Sequence, residues 1–228
     1  MDRVRLNSEQ RRRRIVDAAV PLFARKGFAG TSTKEIAAAS GISQALLFKH
    51  FPTKAALYAD ILQRGCLGDP RLERLLSLEP STFALIDMVH FMLRYTVLAA
   101  GSDPELETKQ RMMLNSFLED GEYAHLALEW LSSNILPWVE ACLKAAAANG
   151  DLEDLPASFA HRFWLTHHLA VMLGFVRLAK RDIVPRIEPT ETLIRDAAQF
   201  ILRGLGVKDA IVRSYRGSGF SHAGQAAE

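Results

Sequence analysis

Apolar residues in this chain recur at intervals of three and four, the spacing of one face of a helix, and alternating strand-like runs are absent. The first stripe is Ile15, Ala18, Ala19, Leu22 and Phe23. Asn7 and Gln10 precede it at capping-box spacing, and Gly27 follows it where a helix commonly ends. Pro21 lies inside the stripe and predicts a bend. Ser32 and Glu35 form a second capping box, which opens a short helix to about Ala39. Gly41 supplies the positive φ of a tight turn, and Ser43 caps a third helix ending near His50. Pro52 and Thr53 separate it from a fourth helix carrying Ala56, Leu57, Ile61 and Leu62. Gly65, Gly68 and Pro70 then mark a boundary.

Further helices are predicted over roughly 81–100, 103–119, 122–149, 157–180 and 190–205. Ser102-Asp103-Pro104-Glu105 is a strong helix start, with proline at the first helical position and acids at the positive end of the dipole. Asn149-Gly150 is a clear stop, and Pro137 predicts a kink within 122–149. The predicted fold is all-α. Residues 1–64 form an N-terminal helical domain, 65–213 a larger helical domain, and 214–228, rich in Gly, Ser and Ala, a disordered tail.

Charge divides the chain in the same way. Residues 1–60 hold 11 Lys/Arg against 5 Asp/Glu, whereas the remainder holds 17 against 21. A basic module that meets a polyanion is therefore joined to a module with another task. Cys66 and Cys142 share no spacing with other ligand-type residues and read as free thiols of a cytoplasmic protein. No apolar run follows the arginine-rich start, so no signal peptide is expected, and no apolar stretch reaches the length of a membrane span. There is no glycine-rich phosphate loop, nucleophile elbow or metal-ligand pair on a helix, so neither catalysis nor a cofactor is expected.

The segment 31–54 has the chemistry of a DNA reader. Ile36, Ile42, Leu47 and Phe51 can form a core between two short helices, with Ala37 small where they cross. That leaves Gln44, Ala45, Phe48 and Lys49 on the outer face of the third helix. Gln can bond adenine in bidentate fashion, Lys can reach guanine or phosphate, and Ala can meet a thymine methyl. Thr31, Thr33, Lys34, Ser43, His50 and Lys54 surround this face with phosphate-type donors. The run Arg11-Arg12-Arg13-Arg14 either steers the first helix onto phosphate or is a solvated face.

From about Ile15 to Leu62 the chain resembles the N-terminal domain of TetR-family transcriptional regulators. The resemblance runs through Ala-Ala-Val-Pro-Leu-Phe-Ala-Arg-Lys-Gly-Phe-Ala-Gly-Thr-Ser-Thr, Ile36-Ala37, Gly41-Ile42-Ser43 and Phe51-Pro52-Thr53-Lys54-Ala55-Ala56-Leu57. It implies a homodimer whose helix-turn-helix domains bind a palindromic operator and whose C-terminal helical domains bind a small effector. It also implies Ser32, Thr33, Lys34, Ser43, Gln44, Ala45, Phe48, Lys49, His50 and Lys54 as DNA contacts. Leu46 and Phe48 stand where a threonine and a tyrosine are common in the family, and both changes remove a hydroxyl.

In the larger domain the helix at 157–180 is apolar nearly all round. Phe159, Phe163, Ala170 and Leu173 lie on one side, and Trp164, His168, Val171, Phe175 and Leu178 on another. The helix at 190–205 is similar, with Leu193, Ala197, Phe200, Ile201 and Leu205. The resemblance implies that the same two helices of a second subunit cover them. Phe91, Met92, Tyr95, Met112, Met113, Phe117, Trp130, Trp138, Trp164 and His168 are either ordinary core or the lining of a largely apolar effector pocket. His161 and His168 share a face without an acidic or cysteine ligand, so no metal site is expected. The competing class is a helical small-molecule-binding or scaffold protein whose basic N-terminus has no sequence-specific DNA role.

Overall fold

Side-chain caps open the first three helices where the sequence places them. The computed structural model describes residues 7–66, 69–98, 103–119, 121–179 and 189–215, the side chains of 62–66 excepted. Helix α1 spans Ser8–Lys26, and Asn7 and Gln10 form the reciprocal box at its start. It continues through the exposed Pro21, which forgoes one helical hydrogen bond on the solvent side, and ends at Gly27 with φ 68°. Helices α2 (Thr33–Ala39) and α3 (Gln44–His50) are capped by Ser32 and Ser43 and joined through Gly41 at φ 67°. Helix α4 spans Lys54–Cys66.

The remaining helices are α5 (Pro70–Leu76), α6 (Thr82–Val97), α7 (Pro104–Leu118), α8 (Glu122–Asn134), α9 (Leu136–Ala148), α10 (Phe159–Arg177), α11 (Thr190–Gly204) and α12 (Asp209–Ser214). Asp103 caps α7 by accepting from the Glu105 and Leu106 amides at 3.0 Å each. Pro137 does more than kink the 122–149 stretch. The first helix stops at Asn134 and a second begins at Leu136, with proline in its first turn, where no N–H is needed. Helices α5 and α12 fall outside the predicted set. Of the predicted tail, Ser214 closes α12 and Tyr215 donates from its hydroxyl to the buried Asp87 carboxylate. Residues 216–228 lie outside the described residues.

The helices divide into two compact units, residues 1–68 with 108–128, and 69–107 with 129–228. In the first, Ile15, Val16, Ala19, Phe23, Ile36, Leu47, Phe51 and Leu57 form the expected interhelical core. Met112, Tyr123 and Ala127, from α7 and α8, belong to that same core. The Tyr58 ring sits between Phe23 at 4.5 Å and Tyr123 at 5.1 Å, both edge-on. Asn115 Nδ2 donates to the Ala24 carbonyl at 2.8 Å, covering the last turn of α1.

In the second unit, α6 is surrounded by α5, α9, α10 and α11. Its Leu85, Ile86, Val89, Leu93 and Val97 are buried with Leu143, Phe163, Ala170, Ile194, Ala198, Ile201 and Leu202. Arg162 of α10 is buried and donates to the carbonyls of Leu155, Ala157 and Leu205, tying the 151–158 loop to the end of α11. Cys142 is a free, buried thiol whose burial pushes its pKa up to about 11, well away from thiolate reactivity.

His167, rather than its neighbour His168, is the buried histidine of α10, and its Nδ1 has no hydrogen-bond partner. Burial, with a smaller contribution from the adjacent His168, lowers its pKa to about 4. The unfolded chain holds the same group near an ordinary ~6.5. Between these values the unfolded state binds more protons. The stabilisation is therefore complete above about pH 6.5 and is lost as pH falls toward 4, amounting to about 3 kcal/mol. Urea unfolding between pH 4 and 7 should show that slope in the native chain and a much shallower one in His167→Gln. Equal slopes would remove His167 as its source.

Candidate nucleic-acid interface

Two seven-residue helices are too short to hold themselves, so their outer faces are positioned entirely by what their inner faces bury. Helix α2 buries Ile36 and Ala37, and α3 buries Leu47, with Phe51 buried just beyond its end. Ser40, fully buried in the turn, donates its hydroxyl to the Ile36 carbonyl at 2.7 Å. With those positions inward, the expected outer residues Gln44, Ala45, Phe48 and Lys49 are exposed, Phe48 by 43%. Lys34 is exposed on α2, and His50 is half-buried.

The first turns of both helices are tied together. Gln44 Nε2 donates to Thr33 Oγ1 at 2.7 Å, joining the N-terminal residues of α3 and α2. Ser43 Oγ accepts from the Leu46 amide at 3.2 Å, which leaves its own O–H to be donated outward. Ser32 is more committed, since its hydroxyl donates to Glu35 Oε2 at 2.8 Å and accepts from the Glu35 amide at 3.2 Å. The Lys26 ammonium beside Glu35, followed by the Ser32 amide and hydroxyl, lowers that carboxyl to about 2. The box therefore stays ionised over any ordinary pH.

Three side chains, two from the expected phosphate donors and one from the arginine run, make contacts within the fold. Thr31 is buried and its hydroxyl donates to the Gly27 carbonyl at 2.8 Å, so it is no part of the outer face. Lys54 Nζ donates to the carbonyls of Phe28 at 2.5 Å and Thr31 at 3.0 Å, and lies 4.1 Å from the Phe28 ring centroid. Two of its three donors thus hold the α1–α2 loop. Arg12 donates to Asp60 Oδ1 at 2.8 and 3.2 Å and to the His50 carbonyl at 3.0 Å, with its guanidinium over the Phe51 ring. It joins α1, the end of α3 and α4. Nothing in the local sequence signals this role, because Asp60 is 48 residues away. Arg13 and Arg14 remain exposed.

His50 sits in this positive surround, and its pKa is lowered by burial first, then by Arg11, Arg12 and Lys49. The imidazole is neutral at physiological pH, so one ring nitrogen can donate a hydrogen bond and the other can accept one.

The residues expected to line an effector pocket divide between the two units. Phe91, Met92, Trp130, Trp138 and Trp164 pack, partly buried, against the core of the second unit, with Tyr95 6.0 Å from Phe91. His168 is exposed and stacked on Trp164 at 5.9 Å, whereas His167 is the one turned inward. Met112, Met113 and Phe117 belong to the first unit. Met112 is fully buried in the core of that unit and Met113 packs against it, while Phe117 is 49% exposed. The separation arises because α7 leaves the second unit for the first at Thr108.

Comparison with known proteins bears on the same segment. Residues 15–61 match the family model for bacterial regulatory proteins of the tetR family. The HTH-type transcriptional repressor Rv3405c of Mycobacterium tuberculosis is 45% identical over 65 residues, 28% of this chain and 33% of that protein. Curated relatives matched in this way are thus covered over about a third of their length or less. Two solved structures share the fold across most of the chain. NalD, the secondary repressor of the MexAB-OprM multidrug efflux pump in Pseudomonas aeruginosa, has a TM-score of 0.64 at 24% identity, covering 89% of this chain and 100% of NalD. AibR, solved with isovaleryl coenzyme A and operator DNA, has a TM-score of 0.60 at 18% identity, covering 83% of this chain and 97% of AibR. The helix-turn-helix segment whose geometry is described above is therefore a DNA-binding segment of the tetR-family type, matched over residues 15–61.

Proposed function

We propose that this protein is a ligand-responsive transcriptional repressor. In this reading it binds a palindromic operator as a homodimer in the cytoplasm, does no catalysis, and is released by a small, largely apolar effector. The observation that carries the DNA reading is the outer face of α3. Gln44, Ala45, Phe48 and Lys49 are exposed there on a helix pinned from behind, within the first sixty residues, which are net positive. Such a helix can enter the major groove while Lys34, Ser43 and the neighbouring backbone amides take phosphate. Phosphate contacts supply affinity, and Gln44 with Ala45 and Phe48 supplies base preference. With the hydroxyls of the usual threonine and tyrosine replaced by Leu46 and Phe48, more of the phosphate contact falls on Lys34, Ser43 and Lys49.

Dimerisation is supported by apolar side chains left open on two helices of the second unit. Leu165 and Met172 on α10 are 69% and 57% exposed, and Phe200 on α11 is 68% exposed. Covering each would contribute roughly 1.5–3 kcal/mol, and two-fold symmetry counts every one twice. The effector reading rests on the aromatic and methionine side chains of α6, α8, α9 and α10 in the second unit, and on AibR, which was solved with isovaleryl coenzyme A. Release then needs a differential affinity between the two states of about 1–3 kcal/mol, typical of allosteric coupling.

Genomic fragments captured by the protein at physiological salt should contain a common inverted repeat bound at least about tenfold more tightly than random duplex. Failure to exceed random duplex would favour the scaffold alternative. On the captured site, Lys34→Ala and Lys49→Ala should each lower the slope of log affinity against log salt by about one. Lys54→Met should instead leave that slope unchanged and lower the midpoint of urea unfolding, because its ammonium holds two carbonyls of the α1–α2 loop. Phe200→Glu should weaken self-association about 100-fold or more in sedimentation equilibrium. An undiminished dimer would move the interface elsewhere.

A further inference from the structure

The hydrogen bond between Gln44 and Thr33 has a consequence for which base pair the protein accepts. Gln44 is exposed at the first position of α3, and Thr33 is half-buried at the first position of α2. Gln44 Nε2 is 2.7 Å from Thr33 Oγ1 and donates to it. A glutamine amide carries two N–H donors and one acceptor oxygen. With one N–H engaged by Thr33, the amide presents a single donor beside a single acceptor. That pair complements adenine, which offers the N7 acceptor and the N6 amino donor in the major groove. Guanine offers two acceptors, N7 and O6, and the engaged amide can satisfy one of them while its oxygen faces the other. A glutamine free to turn could aim both N–H groups at guanine instead.

We propose that Thr33 is a positioning residue that makes Gln44 selective for adenine over guanine. A phosphate beside Thr33 reinforces the arrangement. The threonine proton is donated to the phosphate oxygen, which leaves only hydroxyl lone pairs facing Gln44, and these accept only from the amide nitrogen. The backbone contact thereby sets which edge of Gln44 meets the base. The side chain is also ordered before it enters the groove, so less rotamer freedom is lost on binding. This assignment rests on the proposal that the protein reads operator DNA through α3.

The test is selection from a duplex library with a randomised 24-base-pair core, using the full-length native chain, Thr33→Val, Thr33→Ser and Gln44→Ala at physiological salt. The native chain should select adenine at one position in each half-site, and Gln44→Ala should lose that preference. Thr33→Val should keep the rest of the site but accept guanine there, reducing an adenine-over-guanine ratio of about 10-fold or more to within about threefold. Thr33→Ser retains the acceptor and should restore the ratio. Adding Gln44→Ala to Thr33→Val should change the ratio no further than Gln44→Ala alone. If Thr33 acted on phosphate alone, Thr33→Val would weaken binding to all duplexes equally and leave the ratio intact, which would overturn the proposal. Loss of preference in Thr33→Ser as well as Thr33→Val would also overturn it. A native chain that selects no sequence would instead refute the operator reading itself.

Discussion

Two helices of seven residues cannot persist alone, and everything this protein presents to solvent at its N-terminal end depends on how they are held. Capping satisfies their first turns, through Ser32 with Glu35 and through Ser43. Burial does the rest, because Ile36, Leu47 and Phe51 are each almost wholly removed from water. The core that receives them is completed by Met112, Tyr123 and Ala127, side chains that come from far along the chain. Tyr58 on α4 is the hub, with Phe23 and Phe28 on one side and Tyr123 on the other. The outer face of α3 is thus the outside of a core to which residues beyond the first sixty contribute.

That constraint separates the cations into two kinds. Arg12 and Lys54 each donate to backbone carbonyls and lie over aromatic rings, so their charge is spent on joining elements. Lys34 and Lys49 stand exposed on the outer face. Removing the first kind alters the shape of the surface, and removing the second alters only its charge. The same distinction applies to the hydroxyls. Thr31 is turned into the loop and Ser32 into its capping box, whereas Ser43 retains its proton for an external acceptor.

Much of this was legible in the residues. The caps at Asn7, Ser32, Ser43, Ser81 and Asp103 lie at or next to the helix starts the sequence predicts, since capping is a matter of side chains three residues apart. The exposure of Gln44, Ala45, Phe48 and Lys49 followed from helical periodicity once Leu47 was placed inside. Pro137 showed the limit of local inference. A proline within an apolar pattern is compatible with a kink or with a fresh start, and the break at Ile135 chose the latter. The assembly of Met112 and Met113 with the N-terminal helices was not legible, because a buried methionine carries no mark of which core it fills.

By itself, the sequence determined most of the helices with their caps and turns, the basic character of the first sixty residues and the outer face of α3. These depend on interactions within one or two turns, so the residue order is sufficient to specify them. Tertiary structure alone decided that α7 and α8 complete the N-terminal core, that Arg12 meets Asp60, that Lys54 holds a loop and that Thr33 engages Gln44. Each of those joins groups on different elements of the fold, and only the packing of those elements brings the groups within reach of one another.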